Sequence, residues 1–140
     1  MKNQTNAKAE INTQPNKNNI AVVDVQAIVN SSAQVKALKE AQVSKINELN
    51  LWLQNAQNEV NAEQDKERQQ ALLQKHNAEF ALKRRDVALQ YQQELKTVSD
   101  NISQTVAKEA EKKGYSMVIA KNIVVYGGVD ITEGIAKIIK

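Results

Sequence analysis

The feature that most constrains this chain is a stretch of 98 consecutive residues, 16–113, that contains neither glycine nor proline. Turns draw on these two residues because glycine supplies positive φ angles and proline pre-sets φ near −65°. β-Sandwiches and doubly wound α/β domains need a turn about every ten residues. The stretch therefore excludes both architectures and predicts long helices.

Composition narrows the class of protein further. The chain has no cysteine, which excludes disulfide scaffolds and zinc ribbons. Hydrophobic residues make up 41% of the 140 residues, but aromatic residues only 4%. A compact core for this length would use more large apolar side chains. The composition predicts an extended, helical protein that forms oligomers.

The net charge of +3 is unevenly distributed. Residues 1–19 carry +2, whereas residues 33–113 hold 13 basic and 12 acidic side chains. A nucleic-acid groove concentrates Lys and Arg on one face, so no nucleic-acid partner is predicted. Residues 1–19 also lack the apolar region of a signal peptide and are predicted to be a disordered leader.

Short apolar runs at both ends of the chain predict β-structure. Residues 20–25 (IAVVDV) are typical of a buried strand, and residues 30–32 form a cap signal before a helix that begins near Ala33. Beyond Gly114, runs at 117–120 and 123–126 flank Lys121-Asn122, which predicts a β-hairpin with a two-residue turn. Isoleucines then give a final helix one apolar face.

Residues 33–113 are rich in helix formers, and apolar residues recur at heptad-like spacing. The predicted seam, the stripe buried between helices, follows two series in the first half and one in the second: Val35, Gln42, Leu49, Ala56; Lys39, Ile46, Leu53, Val60; and Leu73, His76, Phe80, Lys83, Val87, Tyr91, Leu95, Val98, Ile102.

The seam is interrupted at residues 61–70 (NAEQDKERQQ), which leaves two alternatives. One continuous helix would be about 120 Å long, whereas a hairpin would have two arms of about 50–60 Å. Asp65 is a suitable N-cap for a second helix, which favours the hairpin. The absence of glycine keeps the continuous helix open.

The sequence contains no motif that predicts catalysis. It has no GxxxxGK[ST] or GxGxxG segment and no His/Cys/carboxylate group at metal-ligand spacing. The single histidine, His76, is interpreted as a tolerated polar residue on the seam. We therefore predict a protein that is not an enzyme and has no cofactor, no metal and no catalytic residue.

Apolar residues away from the predicted seam are the first candidates for a binding surface. They are Leu51, Trp52, Leu72, Leu82 and Leu89. Such residues mark either a contact surface or additional packing, and both interpretations stay open. Near the predicted tip, Lys66 and Arg68 are candidates for contact with acidic client groups or an anionic membrane surface, or serve solubility alone.

The order of these pieces resembles a known family. The segments IAVVDVQAIVNSS and AKEAEKKGYSMVIAKNIVVYGGVDITEGIAKIIK, separated by a Gln-rich helical region, are similar to the OmpH/Skp family of periplasmic chaperones. The resemblance covers roughly residues 20–140. Its most specific parts are the strand ending at Asp24, the KKGY segment at 112–115, and the VDIT segment at 129–132.

The resemblance implies an α+β, mainly α fold, in which a long antiparallel helical hairpin is attached to a small β body with a C-terminal helix. Residues 20–32 and 114–140 would form a trimerisation body, and residues 33–113 a tentacle with its tip near 61–70. Three tentacles would hold unfolded outer-membrane proteins without ATP, in the periplasm. The implied oligomerisation residues are Ile20, Val22, Val23, Val25, Val118, Ile119, Ile123 and Val125.

An alternative from a different class is a structural or adaptor coiled coil that binds one folded partner.

Overall fold

The computed structural model describes residues 19–140. Residues 1–18 of the predicted leader lie outside the described residues. The elements are β1 (Ile20–Val23), α1 (Val25–Ser31), α2 (Ala33–Ala62), α3 (Lys66–Lys112), β2 (Met117–Ala120), a 3₁₀ turn (Lys121–Ile123), β3 (Val129–Asp130) and α4 (Thr132–Ile138).

The three strands form one sheet in the order β2-β1-β3, and both outer strands run parallel to β1. Ile20 lies opposite Met117 in the register with β2, and Ala21 lies opposite Val129 in the register with β3. From Ala21 to Val23 the central strand is at most 5% exposed. Uniformly apolar strands are typical of parallel sheets, where both faces are covered.

The predicted β-hairpin is wrong. Met117–Ala120 is a strand, but Lys121 and Asn122 belong to a 3₁₀ turn, and Val125 and Tyr126 lie in a bend outside the sheet. A two-residue hairpin turn needs positive φ angles at its centre, and in the described residues only glycines have positive φ. The chain instead passes to the other side of β1, where Val129–Asp130 pairs.

Side-chain caps define the helix starts. The Asp24 carboxylate accepts a hydrogen bond from the Ala27 amide at 3.1 Å, and Ser32 separates α1 from α2. Asp65 Oδ1 accepts hydrogen bonds from the amides of Glu67 and Arg68 at 3.0 and 3.1 Å. The predicted start near Ala33 and the predicted Asp65 cap are therefore confirmed.

Helix α3 ends in a Schellman motif. The Tyr115 amide donates to the Ala110 carbonyl at 2.9 Å, and the Gly114 amide donates to the Glu111 carbonyl at 3.0 Å. Gly114 has φ +88°, the left-handed conformation that this motif requires. The predicted helix end at Gly114 is confirmed.

The described chain divides into two compact units. The hairpin unit consists of Gln34–Val98. The end unit combines the residues up to Ala33 with Ser99–Lys140, and so contains the sheet, α1, α4 and the last turns of α3. The predicted fold class, an antiparallel helical hairpin with a small β body and a C-terminal helix, is confirmed.

Three glycines give a graded test of the backbone. At Gly114 an added Cβ meets nothing within 4 Å, so alanine costs only its left-handed conformation, about 1–2 kcal/mol. At Gly128 (φ +84°) the Cβ also lies 2.4 Å from Val22 Cγ2, so we expect a larger loss. Gly134 lies within α4, where alanine favours helix by up to about 1 kcal/mol. Urea denaturation of the three Gly→Ala variants should show the largest loss for Gly128→Ala, a smaller loss for Gly114→Ala and the smallest for Gly134→Ala. A Gly134→Ala loss as large as that of Gly128→Ala contradicts the prediction.

Candidate functional site

The seam along α2 follows one predicted series and departs from the other. Val35 and Ala56 are buried and Gln42 and Leu49 half-buried, as the first series predicts. The second series is wrong by one residue at its N-terminal end. Leu38 is 9% exposed and Lys45 half-buried, whereas Lys39 is exposed and Ile46 is 43% exposed.

Because the second series lies one residue earlier than predicted, Trp52 falls on the seam rather than beside it. The seam positions run 35, 38, 42, 45, 49, 52 and 56, with alternating steps of three and four, so Trp52 belongs to the seam. The indole lies parallel to the Phe80 ring of α3, with centroids 6.4 Å apart and planes at 11°. The Lys83 ammonium lies 5.2 Å from the indole centroid. Trp52 is thus half-buried between the arms.

The α3 seam departs from the prediction in the same way. His76, Phe80, Val87, Tyr91 and Val98 are half-buried as predicted. Leu73 and Leu95, predicted seam residues, are 40% and 37% exposed. The half-buried residues there are their N-terminal neighbours, Leu72 and Glu94.

Polar seam residues join the two arms through their charges. Lys45 Nζ of α2 lies 3.6 Å from Glu94 Oε1 of α3. His76 of α3 lies with Nε2 2.9 Å from Glu59 Oε2 of α2, and with Nδ1 3.0 Å from Glu79 Oε1. The hydrogen bond to Glu59, and next the one to Glu79, raises the pKa of His76 above its ordinary 6.5. The seam therefore combines apolar packing with specific ionic contacts.

Three of the candidate leucines face away from the opposite arm. Leu51 is 58% exposed, Leu82 56% and Leu89 43%. Leu82 and Leu89 lie seven residues apart and so share one face of α3. The other two apolar candidates, Trp52 and Leu72, lie in the seam.

The tip carries charges of both signs. Lys66 and Arg68 are exposed in the first turn of α3. Glu63, Asp65 and Glu67 stand beside them, so positive charge is not concentrated there. Contact of Lys66 and Arg68 with an anionic surface stays a prediction.

In the end unit, the candidate oligomerisation residues fall into three groups. Val22 and Val23 are buried in the chain's own core, and Val118 and Ile119 are half-buried. Ile20, Val25, Ile123 and Val125 are exposed, Val125 completely. Three further apolar residues of this unit are exposed but were not among the predicted oligomerisation residues: Met117, Tyr126 and Ile138.

A cavity of about 670 Å³ opens in the same unit. Its lining is mainly apolar and comes from β1, α1, the end of α3 and β2; it includes Val23, Ile28, Ile102, Val106 and Val118.

The fold agrees with a comparison of the sequence with known families. The family described as "Outer membrane protein (OmpH-like)" matches residues 19–139. The chain belongs to the OmpH-like family. This family is of chaperone type rather than enzymatic. No curated protein matches the chain significantly.

Within residues 19–140, no helix is both long and apolar enough to span a bilayer. Across the same residues, no group of three or more His, Cys, Asp or Glu side chains is placed to hold a metal ion.

The seam assignment of Trp52 predicts its effect on the stability of this OmpH-like chain. Trp52→Ala removes the stacking on Phe80 and leaves a cavity, so the free energy of unfolding should fall by about 2–4 kcal/mol. Leu51→Ala, at the neighbouring exposed position, should change it by less than about 0.5 kcal/mol. Urea denaturation followed by circular dichroism measures both, and equal losses would place Trp52 outside the seam.

Proposed function

We propose that this OmpH-like chain is an ATP-independent holdase, which binds unfolded outer-membrane or other envelope proteins in the periplasm and keeps them from aggregating. The observation that carries the proposal is the exposure of large aliphatic side chains along the hairpin. Seven residues of α2 and α3 are more than a third exposed: Val43, Ile46, Leu51, Leu73, Leu82, Leu89 and Leu95.

The spacing of these side chains suits an unfolded client. Burying one Leu or Ile side chain contributes about 1.5–3 kcal/mol at most, so each contact alone is weak. An unfolded polypeptide can make several such contacts along a hairpin and release them one at a time. A small-molecule site would instead be one concave pocket that is mainly apolar and has a few precisely placed polar groups.

The exposed residues also have a direction. Ile46 directly follows Lys45, and Leu95 directly follows Glu94, the two partners of an inter-arm ion pair. The next residue along a helix points about 100° away from the one before it. In two antiparallel helices, the residues that directly follow the seam residues therefore lie on the same edge of the helix pair. Ile46 and Leu95, together with Val43, which follows the seam residue Gln42, thus form what we call the apolar edge of the hairpin. We infer that clients contact this apolar edge as well as the outward Leu51, Leu82 and Leu89.

Self-association is the second part of the proposal. Val125 and Tyr126 are almost completely exposed beside Ile123, and the end unit has an unfilled apolar cavity of about 670 Å³. Exposed apolar groups of this size are typical of subunit interfaces. We propose that Ile20, Val25, Ile123 and Val125, with Met117 and Tyr126, meet the end units of other copies, and that the assembly is the trimer that the family implies.

The client proposal predicts the effect of removing the apolar surface. A triple variant of the apolar edge, Val43→Ser, Ile46→Ser, Leu95→Ser, removes apolar contacts with the client. It should retain an unfolded β-barrel protein on the order of tenfold less tightly, which corresponds to a loss of about 1.4 kcal/mol of binding free energy. Leu51→Ser, Leu82→Ser, Leu89→Ser tests the outward leucines. Light scattering after dilution of the client from urea measures suppression of aggregation.

The matched control changes three exposed polar residues of the same arms: Asn55→Ser, Gln74→Ser and Gln90→Ser. This variant should suppress aggregation as well as the unchanged chain does. Failure of the unchanged chain to suppress aggregation at an equimolar ratio would contradict the holdase proposal. Saturable binding to one folded partner without suppression would instead indicate an adaptor.

The interface proposal predicts a change of mass. Val125→Asp with Tyr126→Asp places two charges on the proposed interface, so the chain should dissociate towards monomer. Light scattering coupled to size exclusion gives the mass, and Leu51→Asp on the hairpin is the control that should leave it unchanged. A monomeric mass for the unchanged chain at micromolar concentration would refute self-association.

A further inference from the structure

We propose that His76, Glu59 and Glu79 form a proton-dependent clasp that holds the two arms together near the tip of the hairpin. The clasp is independent of the identity of the client. It joins α2 to α3, because Glu59 lies three residues before the end of α2 and His76 lies in the third turn of α3.

The geometry itself requires a proton. Each ring nitrogen of His76 lies within hydrogen-bond distance of a carboxylate oxygen, at 2.9 Å from Glu59 and 3.0 Å from Glu79. A neutral imidazole has one N–H and one acceptor nitrogen, whereas ionised carboxylates only accept. Both hydrogen bonds therefore form only with the imidazolium. When the proton leaves, one carboxylate oxygen faces a ring lone pair, and one of the two contacts is lost.

The surroundings of His76 act on its protonation in two opposite directions. The His76 side chain is only 14% exposed, and its ring meets the Trp52 ring edge-on, with centroids 5.6 Å apart at 88°. The charged groups facing it are Glu59 from α2 and Glu79 from α3, while Lys83 of α3 lies over the indole. Burial lowers the pKa of His76, but the hydrogen bonds to Glu59 and Glu79 outweigh it and favour the protonated form.

The packing beside the clasp is incomplete. A cavity of about 290 Å³ lies against His76, lined by Leu53, Ala56, Val60 and Leu73 among others. Apolar contacts are reduced at this level of the hairpin, so the contact between His76 and Glu59 carries more of the adhesion between the arms. The contact with Glu79 lies within α3, where it orients the His76 ring. When the proton leaves, the Glu59 contact is either lost or reduced to a hydrogen bond from an uncharged ring, and both changes loosen the arms locally.

The direction of the pH effect follows from linkage. The carboxylates raise the pKa of His76 above 6.5 in the folded chain. The stabilisation is fully present below pH 6.5, the unfolded value, and is lost as the pH rises through the folded value. The clasp is closed in mildly acidic solution and opens towards alkaline pH.

His76 is the only histidine, so its titration in the full chain can be followed by NMR without assignment. We expect a midpoint above 6.5, which moves down in Glu59→Gln, moves down in Glu79→Gln and falls to 6.5 or below in the double variant, because burial then lowers the pKa unopposed. Glu40→Gln makes the same charge change at a distant exposed position and should leave the midpoint in place. A midpoint at or below 6.5, or one that neither clasp variant moves, overturns the proposal.

Arm opening is measured separately, with spin labels on a chain that has no native cysteine. Labels at the exposed positions of Asn55→Cys and Ala81→Cys report the distance between the arms. The distance distribution should broaden above the His76 midpoint, and in His76→Gln it should be the same at all pH values. An unchanged distribution across the titration would show that the proton does not control the arms.

Discussion

The rest of this structure depends on the pairing of β1 with two strands from the far end of the chain. Ile20 and Met117, which lie opposite each other, are 97 residues apart in sequence. Closing so long a loop costs entropy that grows only slowly with its length, and here the intervening residues are two antiparallel helices that return the chain. β1 can then bury Ala21–Val23 between two parallel neighbours.

Hydrogen bonds beyond the strands extend this junction. The Ile131 amide donates to the Val22 carbonyl at 3.0 Å, and the Asp24 amide donates to Thr132 Oγ1 at 2.8 Å. The hydroxyl and the amide of Thr132 both donate to Asp130 Oδ1. These two hydrogen bonds hold the pKa of Asp130 below its ordinary value. One four-residue strand thereby anchors β2, β3 and the start of α4.

The hairpin is stabilised in a different way. Its seam contains Lys45, Trp52, His76 and Glu94, so apolar packing alternates with ionic contacts. Because these polar side chains occupy seam positions, aliphatic side chains such as Ile46 and Leu95 lie on an exposed edge. The placement of polar residues in the seam thus accounts both for the site of the proposed clasp and for the apolar surface that we propose to hold clients.

The sequence by itself determined the long helices, the Asp65 N-cap and the helix end at Gly114, because helix propensity, capping and positive φ act over a few residues. It also determined the outward leucines, because heptad spacing shows which residues lie away from the seam. Only the tertiary structure decided the rest. It placed β2 beside β1 rather than in a hairpin, since partners 97 residues apart leave no local signal. It also moved Trp52 and Leu72 into the seam, because apolar spacing alone cannot reveal that Lys45 and Glu94 are half-buried as a pair across the two arms.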